Sequence, residues 1–246
     1  MNLHGIILAA GLGSRLRPLT DCKPKCLLEV DKKTLLEHQL RALRNAGLQL
    51  ITIVTGHFHD QVEAFVRSNF PGDSIRICRN DFYQTTNNAY SLGLALKKEG
   101  GPFLLLDGDL LFENQLLKRL VESKKENLFV VDRQLDALTD EAMKVSFNNA
   151  GQIICFSKKI NPAKAAGEYI GIARLGNKWF ERLYNAVESM DAKARENAYY
   201  EDIINPLIPS SPPLNILCTG GHRWTEIDTC KDLTAAQADW SDNSFR

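Results

Sequence analysis

Residues 6–20, Ile-Ile-Leu-Ala-Ala-Gly-Leu-Gly-Ser-Arg-Leu-Arg-Pro-Leu-Thr, followed by Lys23-Pro24-Lys25, constrain this chain more than any other stretch. The apolar run at 6–10 reads as a buried strand that passes directly into a loop of small residues. Ala9, Ala10, Gly11, Gly13 and Ser14 leave backbone N–H groups bare, and Arg15 and Lys25 add fixed positive charge. Anions bind where such groups converge, so the segment predicts a polyphosphate site of the kind a nucleoside triphosphate fills. Two commoner glycine loops are excluded. A dinucleotide fingerprint needs a third glycine where Leu16 stands, and a Walker loop needs Gly-Lys-Ser/Thr after a four-residue spacer, which follows neither Gly11 nor Gly13.

Strand and helix signals alternate through the first half. Short apolar or β-branched runs predict strands at 6–10, 50–55, 75–78, 103–106 and 128–131. Helical periodicity predicts helices at 34–46, 59–70, 88–98 and 115–124, with Leu36, Leu40 and Leu43 forming one stripe and Gly47, Pro71-Gly72 and Gly100-Gly101-Pro102 acting as stops. This βαβα order predicts an α/β fold, a largely parallel sheet with helices on both faces. Ligands of such sheets gather at the carboxyl ends of the strands, where the glycine loop and Asp107-Gly108-Asp109 both fall. The second half changes character. Residues 143–148 and 152–156 flank the hairpin-type turn Asn149-Ala150-Gly151, 168–175 and 224–227 read as strands, and 183–190, 199–204 and a segment through Leu233 and Ala236 read as helices. No linker, repeat or low-complexity tract interrupts the chain. The expectation is one domain over 1–246, with a nucleotide-binding half at about 1–132 and an acceptor-binding half at about 133–240.

The 246 residues are 44% hydrophobic, enough for one sizeable core, and the formal net charge is +0, which provides no field for nucleic acid or an anionic membrane. Residues 1–5 carry no basic segment leading into a long apolar run, and 6–10 is too short for a signal core or a membrane span. A cytoplasmic protein is expected. The six cysteines form no Cys-x-x-Cys pair, which favours reduced thiols over disulfides or a zinc site. His57 and His59 lack a third ligand at useful spacing.

The run Leu-Ala-Ala-Gly-Leu-Gly-Ser-Arg-Leu with its downstream Lys-Pro-Lys resembles the signature of the nucleotidyltransferases that make sugar nucleotides and CDP-alcohols. The likeness extends from residue 6 to about residue 236. It is nearest to the cytidylyltransferases acting on phosphocholine or 2-aminoethylphosphonate, which also resemble this chain in Asn80-Asp81-Phe82-Tyr83 and Thr85-Thr86-Asn87-Asn88-Ala89-Tyr90-Ser91-Leu92. The resemblance implies a three-layer αβα, Rossmann-like mixed sheet of the nucleotide-diphospho-sugar transferase type. It implies Arg15 and Lys25 as catalytic cations and Leu8, Ala10, Gly11, Gly13, Asn80, Asn88 and Asp107 around the nucleotide. Asparagine amides suit the donor and acceptor edge of cytosine, and either Asn87 or Asn88 also suits a helix N-cap.

The same resemblance implies Mg²⁺, held by Asp109 and by Asp228 with Glu226 second. The period of two within Glu226-Ile227-Asp228 aims both carboxylates one way. For the acceptor it implies Lys158, Glu168, Tyr200 and Asp202. Here the chain departs from the phosphocholine enzymes, since Glu201 stands where they tend to carry a tryptophan and a second tryptophan expected near Leu175 is missing. A primary amine can use carboxylates where a quaternary ammonium prefers an aromatic cage, so the departure favours an aminoethyl acceptor. The expected partners are CTP and a small phosphorylated or phosphonate acceptor, with no nucleic acid and no membrane insertion, and a homodimer is allowed. A sugar-1-phosphate nucleotidyltransferase using UTP or dTTP and a non-catalytic nucleotide sensor are the alternatives.

Overall fold

The computed structural model describes residues 3–98 and 100–240; the ends of the expected 1–246 unit lie outside these residues. In the first half, β1 (His4–Ala9), β2 (Glu29–Val30) and β3 (Lys33–Thr34) precede α1 (Leu35–Asn45), β4 (Ile51–Thr55), α2 (His59–Asn69), β5 (Ile75–Arg79) and α3 (Asn88–Leu96). They are followed by β6 (Phe103–Asp107), β7 (Leu110–Phe112), α4 (Asn114–Glu122) and β8 (Leu128–Asp132). The second half holds β9 (Lys144–Phe147), β10 (Ile153–Ser157), β11 (Gly167–Leu175), α5 (Asn177–Glu188), α6 (Ala192–Asn197), α7 (Tyr200–Leu207), β12 (Asn215–Cys218), β13 (Trp224–Glu226) and α8 (Cys230–Asp239).

A nine-stranded sheet runs β10-β9-β11-β6-β1-β4-β5, with β8 paired to β11 and β12 paired to β8. Strands β6, β1, β4 and β5 are parallel, whereas β11 runs antiparallel to both β6 and β8. The sheet is therefore mixed and mostly parallel on its N-terminal side, and it is flanked by helices. Central β1 is buried along its whole length, as its continuous apolar run requires when both faces are covered. Alternation then divides its side chains. Ile6 and Leu8 join a core with α3, α5 and α7, while Ile7 and Ala9 join the opposite core with α1, α2 and α4. Helix α1 begins where the Thr34 hydroxyl accepts from Glu37 N at 3.0 Å and ends before Gly47 at φ +89°. It buries Leu36, Leu40 and Leu43.

Boundaries differ from the sequence-based ones by a residue or two at most elements. Helix α5 starts earlier, at Asn177, because Trp179 is fully buried and extends the apolar stripe. Five short elements have no counterpart in the sequence reading: β2 and β3 of one hairpin, β7, α6 and β12.

A third, smaller core decides the geometry of the site. Leu16, Leu28, Val30, Leu35, Leu111, Ile227, Leu233, Ala236 and Trp240 cluster together, so the segment after the glycine loop packs on α8 and on the end of β13. Burying each large apolar side chain there is worth about 1.5–3 kcal/mol relative to exposure. Strand β13 pairs antiparallel with β7, Glu226 opposite Leu110, and Ile227 N continues the ladder by donating to Asp109 O at 3.0 Å. Backbone pairing thus sets the C-terminal carboxylates beside Asp109. Among the described residues no helix is long and apolar enough to cross a membrane.

Candidate active site

A cleft of about 920 Å³ opens at the carboxyl ends of β1 and β6. Its floor begins with Leu8 and continues through Ala10, Gly11 and Gly13. A Cβ built on Gly11 would meet nothing within 4 Å, so its backbone faces open space. Gly13 adopts φ +62°, which L side chains rarely take, and its carbonyl accepts from the Thr20 hydroxyl at 2.8 Å. That left-handed residue turns the chain into the short 3₁₀ helix Ser14–Leu16 and sends Arg15 toward the cleft while Leu16 is buried.

Arg15 Nη2 donates to Asp228 Oδ2 at 2.6 Å. Lys25 Nζ donates to Asp109 Oδ2 at 2.8 Å and to Asp228 Oδ1 at 2.7 Å. Burial alone would lower the pKa of Lys25, but the two carboxylates more than offset this and hold it above its ordinary value. For Asp228, burial favours the neutral acid, and Lys25 and Arg15 overcome it, so its pKa lies below the usual carboxylate range. For Glu226, burial first, then Asp109 and Asp228, outweigh Lys25 and Lys158 and push it up to about 8.

Asp109, Glu226 and Asp228 offer oxygens that all lie within 4.8 Å of one another. Asp109 Oδ1 is buried and has no hydrogen-bond partner. An all-oxygen set with an orphaned carboxylate oxygen fits a hard divalent cation. A second group of donors, His59, Asp60 and Glu63, sits on α2. His57 is not in this group: its ring lies tilted against Phe58 and Tyr83, and His59 Nδ1 is bonded to Thr55 Oγ1 at 2.7 Å.

Strand β6 ends at Asp107, and Gly108 then donates its N–H to Leu8 O at 2.9 Å, so Asp107 and Asp109 turn to different partners although both line the cleft. Asp107 Oδ2 accepts from the Tyr200 hydroxyl at 3.0 Å, and Tyr200 Oη is 3.1 Å from Tyr169 Oη. Burial, then Asp109 and Glu201, raise the Asp107 pKa well above its usual value. Gly171, at φ +79°, makes room here: a Cβ would lie 2.5 Å from Asp107 Oδ2.

Asn80 and Asn88 both reach the cleft. The amide of Asn80 is committed internally, donating to Thr86 Oγ1 and Ser91 Oγ at 3.1 Å and accepting from Phe82 N at 2.9 Å. It organises the loop after β5. Asn87 is the N-cap of α3, and Asn88 Oδ1 accepts from Tyr200 N at 2.9 Å.

On the far side, Lys158 and Glu168 line the cleft. Lys158 Nζ lies 3.7 Å from a Glu141 oxygen and 5.1 Å from the centre of the Tyr199 ring. Burial, then Asp132, raise Glu168 to about 7. Two acceptor residues expected from the sequence are not on the cleft wall. Tyr200 is fully buried, spending its hydroxyl on Asp107 and Tyr169. Asp202 is exposed and caps α7, accepting from Tyr199 N at 3.0 Å. Tyr169, Tyr199, Glu201 and Trp224 line the cleft instead. Trp224 was legible in principle, since it lies two residues before Glu226 on one strand; its Nε1 donates to Asp132 Oδ2 at 2.6 Å.

An α/β sheet with a small-residue loop, paired cations and three convergent carboxylates at its rim defines a nucleotidyltransferase. The chain belongs to the family of MobA-like NTP transferase domains, whose model matches residues 5–190. It is 27% identical to the CTP:phosphoglutamine cytidylyltransferase of Campylobacter jejuni, over 94% of this chain and 98% of that one. It is 23% identical to the 2-aminoethylphosphonate cytidylyltransferase of Lancefieldella rimae, over 94% of this chain and 91% of that one. Among solved structures, the CTP:phosphocholine cytidylyltransferase of Streptococcus pneumoniae superposes with a TM-score of 0.79 at 22% identity, covering 97% of this chain and 99% of the other. Its fold is that of the nucleotide-diphospho-sugar transferases.

Proposed function

We propose that this protein transfers CMP from CTP to a small phosphorylated or phosphonate acceptor of the amino-alcohol type, such as 2-aminoethylphosphonate, phosphoethanolamine or phosphocholine, and releases pyrophosphate. The convergence of Arg15, Lys25, Asp109 and Asp228 carries this reading, because it joins the polyphosphate loop to a cation-binding carboxylate set within one cleft.

The N-terminal half would take the nucleotide. Leu8, Ala10, Gly11 and Gly13 offer a bare backbone to the triphosphate, and the loop ordered by Asn80, together with Asn88, borders the base. Arg15 and Lys25 carry positive charge to the phosphates. The acceptor's phosphate or phosphonate oxygen is already anionic at neutral pH, so its attack on the α-phosphorus needs no strong general base. The protein's work is to align two anions that repel one another and to neutralise the charge that develops as pyrophosphate leaves. Lys25 suits this role because its side chain is largely enclosed, 14% exposed, where a fixed charge acts through little water. Mg²⁺ held by Asp109, Asp228 and Glu226 would supply further charge neutralisation at the phosphates. Lys158 approaches the acceptor's anionic end from the second half, and Tyr200 acts indirectly, by holding Asp107.

Pyrophosphate release across the four nucleoside triphosphates, each with choline phosphate, ethanolamine phosphate, 2-aminoethylphosphonate, glycerol phosphate or a sugar 1-phosphate, tests the reading. Turnover is expected with CTP and a nitrogen-bearing acceptor. A preference for UTP or dTTP with the sugar phosphate would reverse it, and tight CTP binding with no pyrophosphate from any acceptor would make the protein a sensor.

A further inference from the structure

The cleft holds more negative charge than a site for two anions needs. Asp109, Glu226 and Asp228 are accounted for by a divalent cation and by Lys25. Glu201 is not. It sits at the second position of α7, is 4% exposed, and lines the cleft. Its Oε2 is buried and has no hydrogen-bond partner.

The neighbouring donors bear on the Glu201 carboxylate but give Oε2 no hydrogen bond. The Tyr200 hydroxyl donates to Asp107, and the Lys158 ammonium lies by Glu141 and over the Tyr199 ring. A carboxylate oxygen held dry against a substrate cleft is unfavourable unless a ligand brings it a donor. Glu201 lines the same cleft as Asp107 and Tyr169.

The chemistry of the missing group follows. Glu201 is not in the carboxylate group that fits a metal ion, so a donor of N–H or O–H is what its free oxygen calls for, and a cationic donor binds it more strongly than a neutral one. A trimethylammonium has no N–H to give. We propose that Glu201 docks a protonated primary amine on the acceptor, so that the protein selects aminoalkyl phosphates or phosphonates over their quaternary counterparts. The inference rests on the acceptor reading above and narrows it. Burial raises Glu201 to about 7, with Asp202 adding to the rise and its own backbone N–H, the Tyr200 hydroxyl and Lys158 opposing it.

The test is a binding cycle on the intact protein, read by calorimetry with and without a non-hydrolysable CTP analogue. The ligands are 2-aminoethylphosphonate and ethylphosphonate, which differ only by the amine; the proteins are wild type and Glu201→Gln, which keeps the shape and removes the charge. The wild type is expected to favour the amine by about 10-fold or more, and Glu201→Gln to bring the two ligands within about 2-fold while leaving ethylphosphonate binding unchanged. Phosphoethanolamine should likewise bind more tightly than phosphocholine to the wild type only. A wild type that does not favour the amine, including one that binds neither phosphonate, overturns the proposal, as does a preference that survives in Glu201→Gln. Because the readout is binding, it stands apart from turnover; absence of pyrophosphate release would remove cytidylyl transfer and leave the amine contact to be judged by this cycle.

Discussion

The ammonium of Lys25 bridges Asp109 and Asp228, 2.8 Å from one carboxylate and 2.7 Å from the other, across 203 residues of sequence in the second case. The same two carboxylates belong to the group that fits a divalent cation. Lys25 therefore keeps the carboxylates gathered, and its neighbour Arg15 clamps Asp228 from the solvent side. A cation entering the group shares the carboxylates with an ammonium already present.

Removing that ammonium should disable the site. Lys25→Ala is expected to lower turnover by about 100-fold or more, the scale of losing one preorganised charged donor. Pyrophosphate release at saturating CTP reads this. An unchanged rate would take Lys25 out of the reaction.

Asp109 has two duties, one oxygen toward Lys25 and one buried without a partner. Asp109→Ala should abolish metal-dependent turnover and weaken binding of Mn²⁺, used as a paramagnetic probe of the nucleotide-free protein. Normal Mn²⁺ affinity in the variant would show that the carboxylate group is not the cation site.

Tyr200→Phe should cost stability without touching the acceptor directly. It leaves Asp107 Oδ2 without its donor in a buried setting, a loss of about 1–3 kcal/mol. A chain of this size should then unfold several degrees lower, at roughly 2–4 °C per kcal/mol. An unaltered melting temperature would count against the Tyr200–Asp107 link.

Glu168 imposes a pH dependence on stability. It faces Asp132 on β8 and Lys144 on β9, and in the folded protein it holds its proton up to about pH 7, against an ordinary value of 4.5. Between those values the folded state binds more protons than the unfolded one, so this residue makes the fold less stable as pH rises. Glu168→Gln removes the penalty. The melting temperature of the variant minus that of the wild type should grow from pH 5 to pH 8, and a difference independent of pH would refute the assignment.

The elements most legible in the sequence were those whose apolar period is carried by their own residues. Strand β1 and helix α1 are examples: one is buried on both faces and shows it as an unbroken run, the other buries a stripe of leucines. Strand β7 was not legible, because three residues carry no period and become a strand only through pairing with β13. At the site, the glycine loop and its cations could be recognised because bare amides and nearby charge are properties of adjacent residues. Tyr200 and Asp202 could not be sorted from Tyr199 and Glu201, since four consecutive polar or aromatic residues at a helix start differ only in which way the helix faces. The sheet and α3 set that facing, burying Tyr200 and turning Glu201 to the cleft.

Sequence alone thus determined the alternation of strand and helix, the small-residue loop with its cations and the family resemblance, all of which are written in neighbouring residues. Tertiary structure alone decided that Asp228 meets Lys25, that Trp224 reaches the cleft and that one oxygen of Glu201 is left buried without a hydrogen-bond partner. The physical reason is that burial and charge pairing depend on which elements the sheet order and the small C-terminal core bring together, and no local pattern records that.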